Sequence, residues 1–195
     1  MADKKLQNAE HTTFKREDFS GQLLSGKTFS NCTFEHCNFT DSSWQKSTFI
    51  DCIFKHCNIS LVSLKSARFQ GVLFQECKLV GLEFCKCDTS FLFSLNIKDS
   101  FVKYCNFSNL DMRKTSLAKC KMFDCTFLNT FLFESDFSET DLQGSMFRNC
   151  DLTKANFADA KNYVIDPSLN KIKKAIFSFP AVVGLLKGFD ITIKF

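Results

Sequence analysis

The sequence predicts an elongated solenoid of stacked five-residue units, and three observations support this prediction. An apolar residue occupies every fifth position from Phe14 to Phe84 and again from Leu92 to Phe157. The position two before it is small in most units, as at Cys52, and the other three positions are mostly polar. A period of five fits neither an α-helix nor a simple strand. A unit with two inward residues cannot bury its core alone, so consecutive units are expected to stack.

The composition is unusual in its 25 Phe and 11 Cys among 195 residues, and the period accounts for both. Phe recurs at the central position, and all the cysteines except Cys85 lie at the small position, where a free thiol packs as a small hydrophobe. The odd cysteine count and the lack of an apolar leader predict free thiols in a soluble, unexported, cytoplasmic protein. No stretch approaches the roughly 18 apolar residues of a membrane span.

Units such as Cys150-Asp151-Leu152 and Ala155-Asn156-Phe157 resemble the pentapeptide-repeat family, whose fives read small, Asn or Asp, Leu or Phe, then two variable polar residues. The resemblance covers about Thr12 to Asp159, although the first four fives lack the small residue. It implies an all-β fold, a right-handed quadrilateral β-helix with four fives per coil. At twenty residues per coil this gives about seven coils and a rod of roughly 35 Å. The resemblance also implies a rod with a width and rise comparable to duplex DNA.

The period is interrupted once, between Phe84 and Leu92. The interval is three residues longer than one five, so we expect a bulge or small loop near residues 85–91. It is interpreted either as a tolerated insertion on one face or as a partner-contacting loop in which Phe91 and Phe93 make the contact. The chain then divides into an N-terminal extension (1–11), the β-helix (12–159) and a C-terminal cap and dimerisation segment (160–195).

The C-terminal segment predicts a short helix from Pro180 to Lys187, with Ser178 as N-cap and Gly188 after its end, and then a strand from Asp190 to Phe195. A β-helix must cover its last strand edge, so this segment is expected to cap the rod. Apolar surface left over would be buried in a two-fold dimer. The expected interface residues are Phe179, Val182, Val183, Leu185, Leu186, Phe189 and Ile191.

The same tail resembles those of the Qnr-type quinolone-resistance proteins and the microcin immunity protein. The similarity lies in Ile165-Asp166-Pro167, in Asn170-Lys171 and in the short apolar helix. It implies that two rods join end to end through their C-terminal tips. The long loops that aid protection in the Qnr-type proteins are here reduced to the short irregularity from Cys85 to Phe91.

Charge is polarised along the predicted rod: residues 12–121 carry a net charge of +5 and residues 122–159 a net charge of −5. In the expected dimer the two acidic ends would meet at the centre of a DNA-like rod and could compete for a groove that binds duplex DNA. The alternative is ordinary solvated charge. The candidate partner-binding acidic patch consists of Asp124, Glu134, Asp136, Glu139, Asp141, Asp151 and Asp159.

No motif for catalysis, metal binding or a cofactor is found. His36 and His56 are twenty residues apart and are expected to stack as a surface pair, not to bind zinc. There is no Cys-x-x-Cys, phosphate loop, nucleophile elbow or HExxH motif. A filled lumen offers no pocket in which to shift a carboxylate pKa, so an enzyme is not expected.

The leading functional hypothesis is a dimeric DNA mimic that binds DNA gyrase or topoisomerase IV and protects it from a quinolone or a peptide toxin. The rival is a non-catalytic scaffold that binds a regulatory protein through one face of the β-helix. A third reading, binding of nucleic acid by the basic arms, is the least favoured. No membrane partner is expected.

Overall fold

The computed structural model describes residues 8–189, 191, 192 and 194. They form a right-handed, four-sided β-helix of about eight coils with one short helix at its C-terminal end. The predicted fold class is therefore confirmed. The coil count exceeds the expected seven because strand pairing continues past both ends of the repeats seen in the sequence.

The strands form four faces, numbered in chain order from β2, and all strand pairs are parallel. Face 1 contains β2 (Thr13–Lys15), β4 (Thr33–Glu35), β6 (Ile53–Lys55), β9 (Val72–Gln75), β11 (Leu95–Lys98), β16 (Asn156–Phe157) and β18 (Ile176–Phe177). Face 2 contains β7 (Asn58–Ser60), β10 (Lys78–Val80), β12 (Phe101–Lys103) and β13 (Lys121–Phe123). Face 3 contains β14 (Thr126–Leu128), β15 (Met146–Arg148) and β17 (Val164–Ile165). Face 4 contains β1 (Ala9–Glu10), β3 (Thr28–Ser30), β5 (Thr48–Ile50) and β8 (Arg68–Gln70).

Both ends of the rod extend beyond residues 12–159. At the N-terminus β1 pairs with β3, so that Ala9 lies opposite Phe29. At the C-terminus β17 pairs with β15 and β18 pairs with β16. The chain from residue 160 to Phe177 therefore forms a further coil of the β-helix.

The lumen is filled by four columns of central apolar residues, one column for each face, and successive members of a column are twenty residues apart except across the interruption. The rings of Phe34 and Phe54 are 4.7 Å apart and those of Phe54 and Phe74 are 5.0 Å apart, nearly parallel in both cases. All three side chains are buried. Each coil buries its apolar residues only against its two neighbours, which explains why no single unit could fold alone.

The small position has a hydrogen-bonding role that the sequence interpretation missed. Cys77 Sγ donates to the carbonyl of Phe54, one coil earlier, at 3.3 Å. Thr140 Oγ1 donates in the same way to the carbonyl of Leu117 at 2.7 Å. A thiol and a hydroxyl on the same short side chain both satisfy a buried carbonyl, so Cys, Ser and Thr alternate at this position for that reason as well as for their size.

In nearly every unit the residue two after the central residue turns the corner between faces and adopts a left-handed backbone, as at His56 (φ 53°) and Lys119 (φ 58°). This conformation costs an L-residue about 1–2 kcal/mol, which the pairing of successive coils offsets. At Gly71 a Cβ would also come too close to the carboxylate of Asp51, which would have to move aside.

The interruption after Phe84 is a loop, as predicted, but the phase of the repeat resumes later than expected. Leu92, predicted to be a lumen residue, is 72 % exposed, and Ser90, predicted at a small inward position, is also exposed. Phe93 instead packs against Phe69 with the ring centroids 6.4 Å apart. Regular pairing returns at β11, where Ile97 lies opposite Phe74.

The C-terminal helix is a 3₁₀ helix, Ala181–Phe189, close to the predicted Pro180 to Lys187. The amide of Val182 donates to the carbonyl of Ser178 at its start. The predicted strand from Asp190 to Phe195 lies partly outside the described residues, and Ile191, Thr192 and Lys194 are not in a strand. Within the part of the chain that the structure describes, no helix is long and apolar enough to cross a membrane.

Candidate partner-binding surfaces

The loop of residues 87–94 projects from face 4 and is held by side chains at its base. Arg68 Nε donates to Asp88 Oδ2 at 2.7 Å, and its guanidinium lies 4.7 Å from the centre of the Phe91 ring. Asp88 Oδ1 accepts the amide of Ser90 at 3.0 Å and its hydroxyl at 2.6 Å. These hydrogen bonds, with the Arg68 guanidinium, lower the pKa of Asp88 to about 2. The loop therefore has a defined conformation around a charged anchor.

A groove of about 730 Å³, open to solvent, crosses face 4 next to this loop. One wall consists of Phe91, Leu92 and Phe93, and the other of Phe131 and Phe133. The walls are two coils apart, or about 10 Å. A hollow of about 330 Å³ lies on the other side of Phe131 and continues the groove toward the C-terminus.

The groove floor is the intervening coil, which carries charge. Arg113 Nε binds both carboxylate oxygens of Asp111, at 2.8 and 3.0 Å, which raises the pKa of Arg113. Lys114 Nζ lies 3.9 Å from Glu134 Oε2, while Lys154 Nζ holds the same carboxylate at 2.8 Å and lies over the Phe133 ring. The walls are therefore apolar and the floor is polar and basic.

The seven predicted acidic residues do not form one patch. Asp136, Glu139 and Asp141 follow each other on one coil, and Asp159 lies one coil further on in the corner column of Glu139. We call these four residues the acidic edge, since they lie where faces 1 and 2 meet. The other three lie elsewhere: Asp151 on face 4 and Asp124 and Glu134 at other corners.

Lysines one coil away neutralise part of the negative charge of the seven predicted acidic residues. Glu134 is held by Lys154, and that hydrogen bond lowers the pKa of Glu134. Lys119 Nζ lies 3.6 Å from Glu139, and Lys103 Nζ lies 3.9 Å from Asp124.

The aspartates beside the central position have a turn function. Asp136 accepts the amide of Ser138 at 3.0 Å, and Asp141 accepts that of Gln143 at 3.2 Å. Asp151 accepts the amide of Thr153 at 3.1 Å in the same way. Asn156 accepts the amide of Ala158 in the same arrangement, so the repeat geometry requires the side-chain oxygen and not the negative charge.

The acidic coils are not at the tip of the rod. The additional coil after residue 160 carries Lys161, Lys171, Lys173 and Lys174 and lies between them and the C-terminal helix. The expected meeting of two acidic ends in a dimer does not follow from this geometry, because a basic coil would separate each acidic segment from the junction.

The C-terminal helix packs across the last coil. Gly184 is buried, and a Cβ there would lie 2.5 Å from the carbonyl oxygen of Tyr163, so the close approach requires glycine. Of the predicted interface residues, Leu185 packs partly on the core, and Val182 and Val183 are half-buried. The remainder are exposed: Phe179, Leu186, Phe189 and Ile191.

Two family sequence models match this chain. One, described as a pentapeptide repeat region, matches residues 27–99, and the other, described as pentapeptide repeats (8 copies), matches residues 132–161. The chain belongs to the pentapeptide-repeat family. No curated protein matches the sequence.

Among solved structures, this pentapeptide-repeat protein is similar to QnrB1, described as a plasmid-mediated fluoroquinolone resistance protein. One trypsin-treated variant superposes with a TM-score of 0.73 at 17 % identity, covering 95 % of this chain and 98 % of that one. A second gives 0.72 at 19 % identity, covering 96 % and 98 %. Full-length QnrB1 gives 0.58 at 16 % identity, covering 92 % and 100 %. At this identity the likeness is one of fold.

The histidine and cysteine side chains of the β-helix have surroundings that fit a structural role. The rings of His36 and His56 stack 4.6 Å apart on the surface, as predicted, and His56 Nδ1 lies 3.3 Å from Glu76. Burial raises the pKa of Cys52 and of Cys120 to about 12. Within the described residues, no group of three or more His, Cys, Asp or Glu side chains is placed to hold a metal ion.

The sequence indicated the loop but not the groove. Phe131 and Phe133 flank a central residue at outward positions that are usually polar, and this departure from the pattern was the available signal. They line the same groove as the loop because the chain places residues about forty apart two coils from each other on face 4, which a five-residue period does not reveal.

Proposed function

We propose that this protein is a non-catalytic dimer of the Qnr type that binds a bacterial type II topoisomerase, chiefly DNA gyrase, and protects it from a poison such as a quinolone. The observation that carries the proposal is the likeness of fold to QnrB1 over 95 % of this chain and 98 % of that one. Fold alone does not determine function. The proposal is therefore tested by changing residues on the surface of this protein.

The acidic edge is the surface proposed to mimic DNA. Its carboxylates lie along one edge of the rod. There they can take the place of DNA phosphates in a positively charged groove of the topoisomerase. Glu134 lies on another edge and is paired with Lys154, so the sharpest variant changes only Asp136, Glu139 and Asp141.

The test is a gyrase supercoiling assay with ciprofloxacin. Wild-type protein is expected to restore supercoiling, and a triple variant (Asp136→Asn, Glu139→Gln, Asp141→Asn) is expected to lose most of this effect. The amides preserve the turn hydrogen bonds, since asparagine already occupies the equivalent position at Asn156. No effect of the wild type on gyrase or topoisomerase IV would overturn the proposal.

The matched control removes three negative charges near the N-terminal end of the rod, with Asp18, Asp41 and Asp51 changed to asparagine. All three are exposed; Asp18 accepts the amide of Ser20 as Asp136 accepts that of Ser138, and Asp41 and Asp51 are corner residues with a left-handed backbone. Equal loss in both variants would indicate dependence on overall charge and would contradict a role for the acidic edge.

The dimer is proposed to form through the exposed apolar residues of the C-terminal tip. Phe179 is 78 % exposed and Phe189 is 50 % exposed, next to the strand edge that the helix covers. Replacing both with serine is expected to convert a dimer into a monomer in size-exclusion chromatography with light scattering. Leu23→Ser, at an equally exposed leucine far from the tip, should leave the mass unchanged. A monomeric wild type would refute this part of the proposal.

A scaffold that binds a regulatory protein through face 4 is the second candidate. The groove beside the loop favours it, because the loop presents apolar side chains in a held conformation. Such a scaffold would be indifferent to the acidic-edge variant and sensitive to changes in the groove.

A further inference from the structure

We infer that the groove on face 4 binds an extended segment of another protein, in which an apolar side chain is flanked by acidic residues. The inference goes beyond the proposed function, because it depends on the groove alone and not on the identity of the protein that supplies the segment.

The first argument is the apolar area left in water. Phe91 is 60 % exposed, Leu92 is 72 % exposed and Phe131 is 55 % exposed, and they face one another across the groove. Scattered exposed apolar residues need no explanation, but a cluster that lines a concave surface marks a binding site. Aromatic anchors in such a hollow are the residues that contribute most to protein association.

The second argument is that the loop wall is already ordered. Besides the Arg68 and Asp88 pair, the Ser94 hydroxyl accepts the amide of Gly71 at 2.7 Å, and the Ser94 amide donates to the carbonyl of Phe69 at 2.9 Å. Binding therefore does not have to order the loop, and this preorganisation lowers the entropic cost of association.

The third argument is charge. Within the described residues, Arg113, Lys114 and Lys154 are paired with only two carboxylates, those of Asp111 and Glu134. Since Lys154 lies closer to Glu134, Lys114 is the cation left with the weakest partner and is available to a carboxylate of an incoming segment. The hollow beyond Phe131 adds Lys171, which has no ion pair within the described residues.

The geometry favours a polypeptide over single-stranded nucleic acid, which also combines stacking groups with negative charge. A nucleic-acid strand requires a row of cations along its backbone. Here Asp111 forms part of the groove floor and Asp151 lines the adjoining hollow. The wall separation of about 10 Å is two inter-strand spacings, which leaves room for one extended chain between the walls.

The test uses a fluorescein-labelled peptide, Asp-Glu-Phe-Leu-Glu-Asp, in fluorescence anisotropy titrations with the full chain. Saturable binding that weakens as salt rises is expected. Two comparison peptides replace Phe-Leu by Ser-Ser, or the acidic residues by lysine, and both are expected to bind at least tenfold more weakly. Equal or tighter binding of either comparison peptide, or of a labelled oligo-dT of matched charge, would overturn the inference, as would no binding of the first peptide.

Two groove variants and two controls locate the binding. Phe131→Ser and Lys114→Glu are expected to weaken binding of the acidic peptide by fivefold or more, and Lys114→Glu is expected to improve binding of the lysine peptide. The controls are Leu23→Ser, which removes an exposed apolar side chain far from the groove, and Lys46→Glu, which reverses the charge of a lysine at the same left-handed corner position of the repeat as Lys114. Loss of binding in a control, or retention in both groove variants, would refute the assignment. Because no topoisomerase is present, these outcomes are independent of the gyrase experiment.

Discussion

Phe54 is the residue through which the aromatic lumen is best tested. Its ring is fully buried and stacks on Phe34 and Phe74 in the coils on either side, at 4.7 and 5.0 Å. It also lies 5.3 Å from the ring of Trp44. Replacing Phe54 with alanine removes its contacts with all three of these rings at once.

Phe54→Ala is expected to lower the free energy of unfolding by about 3–5 kcal/mol, the usual cost of emptying a buried Phe site. Phe54→Leu retains most of the buried area but loses three stacked ring pairs, those with Phe34, Trp44 and Phe74. At about 0.5–1.5 kcal/mol for each aromatic pair, its expected cost is about 1.5–4.5 kcal/mol. The difference between the two variants separates filling of the lumen from stacking of rings.

Urea unfolding can be followed by fluorescence of Trp44, the only tryptophan and a direct neighbour of the site. Hydrogen exchange should show the loss of protection concentrated in β4, β6 and β9, because a solenoid coil contacts only its neighbours. Leu61→Ala is the control, since Leu61 is 58 % exposed and surface changes usually stay within about 0.5 kcal/mol. If Phe54→Leu were as stable as the wild type, the stacked rings would contribute nothing beyond area, and the reasoning would fail.

Three further predictions concern the cap, the loop and the thiols. Gly184→Ala is expected to displace the C-terminal helix, because the added Cβ would lie 2.5 Å from the Tyr163 carbonyl oxygen. The displacement should make proteolysis of the tail faster, and an unchanged rate of proteolysis would contradict the prediction. Asp88 has a folded pKa lowered to about 2, so the loop anchor is present above the ordinary carboxyl pKa and is lost as pH falls through about 2; an NMR titration of its carboxyl carbon with a midpoint near 3.8 would be inconsistent with the Arg68 and Ser90 contacts. Among the eleven thiols, half-buried Cys85 should react first with Ellman's reagent, and slowly at neutral pH because burial and Glu83 raise its pKa; rapid reaction of several thiols in the native protein would argue against a closed lumen.

Much of the fold was predictable because the period of five is read directly from neighbouring residues. Phe54, Phe127 and Leu142 were assigned to the lumen from spacing alone, and all three are fully buried. The stacking of His36 on His56 followed from a separation of twenty residues, once four fives were taken to make a coil. These predictions depend only on the spacing of repeated residues, which is visible in the sequence.

The candidate site was predictable only in part. Phe91 was named as a possible contact and is exposed, whereas its partner wall at Phe131 and Phe133 was not anticipated. The acidic residues were named as a single patch, but their side chains point from different faces and corners of the rod. A sum of charges along the chain does not record the face on which each charge lies.

The sequence by itself determined the repeat, the four-sided β-helix that its family resemblance implied, and the buried column of aromatic residues, because each of these depends on spacing within one coil. Only the tertiary structure decided which residues of the interrupted segment turn outward, since Leu92 and Phe93 are both apolar and the packing against Phe69 selects Phe93. It also decided which residues pair across the interruption, since Leu79 lies opposite Val102, twenty-three residues later and not twenty. The physical reason is the same in both cases: contacts across coils depend on where the three additional residues are placed, and the period alone does not contain that information.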